Sequence, residues 1–200
     1  MTTWNVKNSK PLVVVVDDFL GNPDEIRALA LKQDYKPQGS KGVRSLDRFA
    51  HPNLVPCFEQ LIDRKILEWG LGANGRFQHC NAETPLVHHC DLQTHAASIF
   101  LTPDAPPGCG LKLLRSKKFG LRYGPTQEFA KARNMTQAQV HAEMFGGFYD
   151  STLWETVDQI GNVYNRLVIW DAQHAHTAAC YFGQHINDSR LFQVFFFNAR

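Results

Sequence analysis

The chain has no long hydrophobic run. Its longest, Leu12 to Val16, is stopped by Asp17 and Asp18, far short of the ~20 apolar residues that span a bilayer, so no membrane partner is expected. It also lacks an excess of charge. Twenty-one Lys and Arg face 19 Asp and Glu for a net +2, without the basic stripe of a dedicated nucleic-acid binder, so nucleic acid is not expected either. Cysteines are few: Cys57, Cys80, Cys90, Cys109 and Cys180 are odd in number and contain no C-x-x-C pair. That predicts reduced thiols in a cytoplasmic setting rather than a disulfide framework or a zinc knuckle. The opening Met-Thr-Thr-Trp-Asn has neither a charged n-region nor a small-residue cleavage site, which agrees with the cytoplasm. Repeats, low-complexity stretches and long linkers are absent, and 200 residues are read as one domain. A chain of this length buries about 70% of its unfolded surface and needs no cross-link or metal merely to fold.

What the sequence holds in quantity is phenylalanine, 14 residues, and histidine, nine. Leu12 to Val16 reads as a β-branched buried strand. Asn22-Pro23-Asp24-Glu25 predicts a helix start, with an Asn cap and Pro in the first turn, and the helix runs to about Gln33. A Gly/Lys/Ser loop covers Gln38 to Val43. A second helix is expected from Asn53, because Leu54, Phe58, Leu61, Ile62, Ile66 and Trp69 recur at helical spacing before Gly70 and Gly72. From Phe77 the pattern changes to short strands: 77–81, 94–101, 111–115, 154–160, 167–170 and 192–197, separated by Pro, Gly, Asn and Asp. One helix interrupts them, opened by the capping box Thr136-Gln137-Ala138-Gln139 and stopped at Gly146-Gly147. Helices first and strands afterwards predict a mainly β fold, an antiparallel sandwich or small barrel with flanking helices. Val194 to Phe197 is apolar on both faces and requires cover on both sides.

The chemistry-bearing segment is Leu86-Val87-His88-His89-Cys90-Asp91. His89 and Asp91 lie two apart, so in an extended strand both leave one face, and an imidazole beside a carboxylate can grip a divalent metal. A second histidine would complete a two-His-one-carboxylate facial triad with three open positions. Such a tripeptide also arises by chance as a surface His beside a solvated Asp. Two later pieces bear on it. Asn165 to Asp171 is a strand followed by Ala172-Gln173-His174-Ala175-His176-Thr177, and Arg190 opens the last strand. An Arg there can project into a barrel lined by Phe and Val, and a buried guanidinium needs an anionic partner, either an internal carboxylate or a dicarboxylate held bidentately.

The order H-x-D, distal His, Arg on a chain of short strands resembles the Fe(II)- and 2-oxoglutarate-dependent dioxygenases. Within them it is similar to a prolyl-hydroxylase-like group of small bacterial and phage proteins. The likeness rests on Val16 to Arg27, Phe100 to Pro107, and Trp154-Glu155 to Arg166-Leu167-Val168, and runs from about residue 12 to 198. It implies a double-stranded β-helix (jelly-roll, cupin-like) core over about 76–198 behind a helical part over about 12–75. It implies His89, Asp91 and His176 as ligands of Fe(II), Arg190 as the partner of the distal carboxylate of 2-oxoglutarate, and O2 as the oxidant. Asp91 is the carboxylate that related halogenases replace by a small residue, so a hydroxylase is expected, acting on a small molecule or an amino-acid or peptidyl side chain. The rival reading is a cupin-like metal-binding jelly roll, either a non-oxidative enzyme or a binding module. Two departures stand out: Cys109-Gly110-Leu111 replaces the group's Gly-Gly-Thr, and Phe192 occupies the place two after the Arg where Ser or Thr is common. The co-substrate's hydroxyl partner must then come from elsewhere, with Tyr123, Tyr164 and Thr177 as candidates.

Strand parity turns His88 away from His89. His174 and His176 share parity, and the Thr177-Ala178 that follows, matching the family's small-residue stretch, favours His176. His51, His79, His95, His141 and His185 have no partner at ligand spacing, and Cys90 is expected to pack outward. Lys112, Arg115, Lys117 and Lys118 read as a solvated face that could otherwise attract an acidic substrate. The long connection Phe119 to Tyr149 is expected to act as a lid.

Overall fold

A computed structural model describes residues 11–38, 41–70 and 72–200; the amino-terminal Met1–Asn5 stretch lies outside them. In chain order the elements are β1 (Val13–Val16), α1 (Pro23–Leu31), β2 (Tyr35–Pro37), β3 (Val43–Ser45), α2 (Leu54–Ile62), β4 (Ile66–Glu68), β5 (Arg76–Cys80) and β6 (His95–Phe100). There follow β7 (Leu111–Ser116), α3 (Gln127–Lys131), α4 (Gln137–Phe145), β8 (Trp154–Ile160), β9 (Leu167–Asp171), β10 (His176–Ala178) and β11 (Arg190–Ala199). The large sheet runs β1-β9-β6-β11-β5-β3-β2, with β4 pairing the end of β11, and the small sheet runs β10-β7-β8. Every one of these pairings is antiparallel. The two sheets form the double-stranded β-helix, a mainly β architecture with helices outside it.

The central strand β11 explains the layering. Leu191, Phe195 and Phe197 lie in the cluster shared with Phe58, Ile62, Phe77, Ala97, Ile99, Leu167 and Ile169, packed beneath α1 and α2. Phe192 and Val194, of opposite parity, join Ala96, Phe100, Leu111, Leu113, Val168 and Trp170 between the sheets. Both faces of β11 are thus covered, one by helices and one by the small sheet, as a doubly apolar strand demands. On the helix side Phe58 meets Trp69, Phe195 and Phe197 at ring-centroid distances of 5.4, 5.4 and 5.7 Å. Full burial of each such side chain contributes about 1.5–3 kcal/mol.

Four expectations are corrected. The second helix stops at Ile62, because Asp63 takes the left-handed conformation (φ 50°). Ile66 belongs instead to β4, whose backbone pairs with β11; its spacing suits a helix face and a buried strand residue equally. Asn22 makes no side-chain cap, although Pro23 does open α1. The Phe119–Tyr149 connection carries α3 as well as the expected α4. It packs Met144, Phe119, Leu121 and Phe145 against Leu114, Trp154 and Ala175, away from the central cavity, so it is not a lid over it. Finally, Cys109 and Cys180 form a disulfide, while Cys57, Cys80 and Cys90 are free. Cys109 precedes β7 and Cys180 follows β10, the two strands that pair through Leu111↔Ala178; that adjacency, invisible in residue spacing, brings the thiols together. A bonded pair favours an oxidising compartment, which removes two of the five thiols from the argument for the cytoplasm. Among the described residues no helix is long and apolar enough to cross a membrane.

Candidate metal and anion site

Between the sheets lies a cavity that opens to solvent, lined by polar groups on one side and by Trp170, Phe192, Val194 and Phe196 on the other, the mixed lining common to small-molecule sites. His89, Asp91 and His176 converge on it, each offering a ligand atom within 4.8 Å of the others. A backbone bridge sets this geometry: His89 and His176 exchange N–H···O bonds of 3.1 and 2.8 Å, which lock the H-x-D segment to β10. Nδ1 of His89 lies 3.0 Å from the Val87 carbonyl and Nδ1 of His176 lies 2.8 Å from the His174 carbonyl. A carbonyl can only accept, so each ring carries its proton on Nδ1 and presents the Nε2 lone pair to the centre. That is the tautomer a metal ligand requires. The Nε2 atoms stand 3.4 Å from Asp91 Oδ1 and Oδ2 respectively, and Oδ2 is buried with no hydrogen-bond partner. Burial, reinforced by the neighbouring His176, pushes His89 below the usual imidazole value, which keeps the ring neutral. Two lone pairs and an orphaned carboxylate oxygen aimed at one point suit a divalent cation.

The neighbouring histidines do not take part. His88 is buried on the other side, its Nδ1 2.9 Å from the Phe148 carbonyl and its ring parallel to Trp154. His174 is fully buried against Tyr123 and lies outside the cavity. His79 packs on Tyr35, His95 on Phe197 and His141 on Phe145, while His51 accepts from Asn53 N–H. Cys90 packs under the α3–α4 connection. The basic run stays on the surface, where Arg115 pairs with Glu155 and Lys118 with Glu143.

Arg190 lines the same cavity. It is 5% exposed. Nε donates to the Cys109 carbonyl at 3.1 Å and Nη2 to the Gly110 carbonyl at 3.4 Å, and the guanidinium carbon lies 4.4, 5.2 and 5.7 Å from the ring centroids of Phe192, Phe100 and Tyr181. Among the described residues no carboxylate pairs with it. Gly110 is obligatory, because a Cβ there would overlap the Ile160 carbonyl. The replacement Cys109-Gly110-Leu111 therefore serves as a carbonyl cradle for the cation, anchored through Cys109 to β10. Of the three hydroxyl candidates, Tyr164 donates to Asp24 at 2.5 Å on the surface and Tyr123 lies outside the cavity. Thr177 lines the cavity with a buried, unpartnered Oγ1.

The sequence reading missed Tyr181, Lys41, Arg44 and Gln78, which also line the cavity. Tyr181 follows Cys180 directly, and the disulfide is the feature that seats it. Lys41 and Arg44 come from a hairpin read as a loop. Alternation of Val43 and Ser45 about Arg44 was the available signal, and three residues are too few for a periodicity to show.

No protein-family model matches the chain, and no curated protein does. Solved structures do. HygX from Streptomyces hygroscopicus, with nickel, 2-oxoglutarate and hygromycin B bound, superposes with a TM-score of 0.55 at 10% identity, over 94% of this chain and 82% of that one. The same protein with nickel and 2-oxoglutarate bound gives 0.54 at 11% identity over the same shares. A Pseudomonas putida prolyl-4-hydroxylase gives a TM-score of 0.43 at 14% identity over 94% of this chain and 93% of that one, too low to bear on the fold. At these identities the likeness to HygX is one of fold: the chain shares the jelly roll of a protein that holds a metal and 2-oxoglutarate.

Proposed function

We propose that the protein is an Fe(II)- and 2-oxoglutarate-dependent dioxygenase, a single-domain hydroxylase acting on an unactivated carbon of a small molecule or amino-acid side chain. His89, Asp91 and His176 would hold the iron, and Arg190 the distal carboxylate of 2-oxoglutarate. The observation that carries this reading is Arg190, a buried cation without a carboxylate partner among the described residues, in one cavity with the two Nε2 lone pairs and the orphaned Asp91 oxygen. Removing such a charge from water is costly unless an anion joins it, and the distal carboxylate of 2-oxoglutarate would be that anion. HygX, of the same fold, holds nickel, 2-oxoglutarate and a small molecule together, the same three kinds of occupant.

A bound ferrous ion would supply three open positions and the electrons that activate dioxygen. The reaction balances as R–H, O2 and 2-oxoglutarate giving R–OH, succinate and CO2, with one oxygen atom entering each organic product. The chain's own residues do the positioning. The Nδ1–carbonyl bonds hold both imidazoles at a fixed angle. Thr177 Oγ1 would donate to the co-substrate in the role that Phe192 cannot fill, a reading supported by its buried, unpartnered position at the cavity. Trp170, Phe192, Val194 and Phe196 wall the cavity and keep water from the reacting atoms. A cytoplasmic setting belongs to this reading, supported by the free Cys57, Cys80 and Cys90 and opposed by the Cys109–Cys180 bond; trapping the thiols in intact cells decides between them.

Anaerobic titration of the apo-protein with Fe(II) and 2-oxoglutarate tests the proposal. A weak visible charge-transfer band, followed by succinate release on admitting air, is the expected result. Metal binding without any 2-oxoglutarate binding would leave a cupin-like metal-binding jelly roll.

A further inference from the structure

Two cations at the cavity are not used by the proposed chemistry. Lys41 and Arg44 come from the β2–β3 hairpin, closed by the Gln38 N–H to Gly42 carbonyl bond of 2.9 Å. Gly42 has φ +77°, and a Cβ there would stand 2.6 Å from both Cys80 Sγ and the His79 carbonyl, so only glycine lets the hairpin press this close to β5. Gln78 ties it down: its Nε2 donates to the Lys41 carbonyl at 2.5 Å and its Oε1 accepts from Arg44 Nε at 2.6 Å. That leaves the Arg44 terminal nitrogens and Lys41 Nζ without a hydrogen bond among the described residues, at the wall of the cavity. Among the described residues Asp91 is the single carboxylate lining that cavity. Burial is the main influence on both cations and pulls each below its ordinary value, with Asp91 working in the opposite direction.

Resting on the proposed metal and 2-oxoglutarate, the charge balance is direct. A divalent metal and Arg190 offset Asp91 and the dianionic co-substrate. Lys41 and Arg44 then remain as two positive charges in a partly desolvated cavity, which is unfavourable until an anion enters. From this arrangement we infer that the substrate is a small molecule carrying a carboxylate or phosphate group, gripped by Lys41 and Arg44. Arg44, fixed through Nε, offers its remaining two nitrogens as a planar fork to two oxygens, and Lys41 adds a point charge. The surface basic run has no part in this; its arginine and one lysine are paired with glutamates.

Calorimetry on the protein loaded with Mn(II) in place of iron tests the inference in two steps. First, 2-oxoglutarate is titrated into wild type and into Lys41→Gln, Arg44→Gln and Arg44→Lys, all four also checked by thermal melting. Second, the loaded proteins receive N-acetylleucine against its amide, and glycerol 3-phosphate against glycerol, which separates a carboxylate from a phosphate. At least one anion should bind wild type at least about tenfold tighter than its neutral counterpart, and each Gln variant should erase most of that preference, as expected for a lost charge-assisted contact. Arg44→Lys should keep part of it, and 2-oxoglutarate affinity should stay unchanged throughout. Equal binding of anion and neutral counterpart in wild type overturns the inference. So does loss of 2-oxoglutarate binding in Arg44→Gln, which would move Arg44 to the co-substrate. Failure of 2-oxoglutarate to bind wild type sinks the dioxygenase reading instead, and the second step on the Mn(II) protein alone still decides about the cation pair.

Discussion

The two faces of the large sheet are built from alternate residues of the same strands, and they differ in kind. On the helix face Leu191, Phe195, Phe197, Phe77, Ile99 and Ile169 form one buried apolar cluster beneath Phe58 and Trp69. On the inner face Arg190, Phe192, Val194, Phe196, Gln78, Ser98 and Trp170 line an open space with unpaired charge. One face spends its residues on stability and the other holds groups that destabilise the empty protein. Consecutive residues thus serve opposite purposes, which is the usual trade between stability and function.

Truncation on the helix face should be the most damaging change. Phe195→Ala is expected to cost about 3–5 kcal/mol in urea denaturation, with Mn(II) affinity of the folded fraction unaltered. A cost below that of a surface substitution would break the contrast between the faces. Cutting the Cys109–Cys180 bond, which closes a loop of 71 residues' separation, should cost roughly 2–4 kcal/mol, read as a lower urea midpoint under reducing conditions that is absent from the Cys109→Ser/Cys180→Ser double variant. On the inner face the loss should be of function rather than of stability. Asp91→Asn takes the one carboxylate described there from a cavity that also holds Arg190, Lys41 and Arg44, so metal binding should be lost while the metal-free protein loses only about 1 kcal/mol, or roughly 2–4 °C in melting temperature. A fall as large as that of Phe195→Ala would break the contrast between the faces. The smallest change in metal affinity is expected for His88→Ala. It should lose a hydrogen bond worth about 1 kcal/mol of stability and keep its Fe(II) titration, whereas His89→Ala should not. Equal loss in both would mean that parity misassigns the pair.

The contrast between the faces was partly legible beforehand. Val194 to Phe197 announced a strand covered on both sides, and the H-x-D parity separated His89 from His88, because a period of two is a property of the extended chain itself. Choosing His176 over His174 required more, since they share parity. A turn from Asp171 to His174, closed by the His174 N–H on the Asp171 carbonyl, seats His174 against Tyr123, whereas the His176 N–H bonds the His89 carbonyl, so the two rings stand in different places. The β2–β3 hairpin escaped notice because three-residue strands carry too little pattern. Ile66 was misplaced for the opposite reason, that its spacing satisfied two patterns equally.

Residue order alone determined the strands β1, β5 to β9 and β11 and the helices α1 and α4 to within a few residues, the start of α2, the capping box at Thr136, realised with both of its bonds, and the alternation that sends His89 and Asp91 to one side. These are local consequences of backbone geometry. Tertiary structure decided what no spacing contains: that Cys109 and Cys180 are neighbours, that Arg190 is cradled by the carbonyls of Cys109 and Gly110, that Thr177 rather than Tyr123 or Tyr164 faces the cavity, and that Lys41 and Arg44 close it. Each depends on antiparallel pairing between segments dozens of residues apart, where side-chain positions follow from the register of the sheets rather than from the neighbours of a residue in the chain.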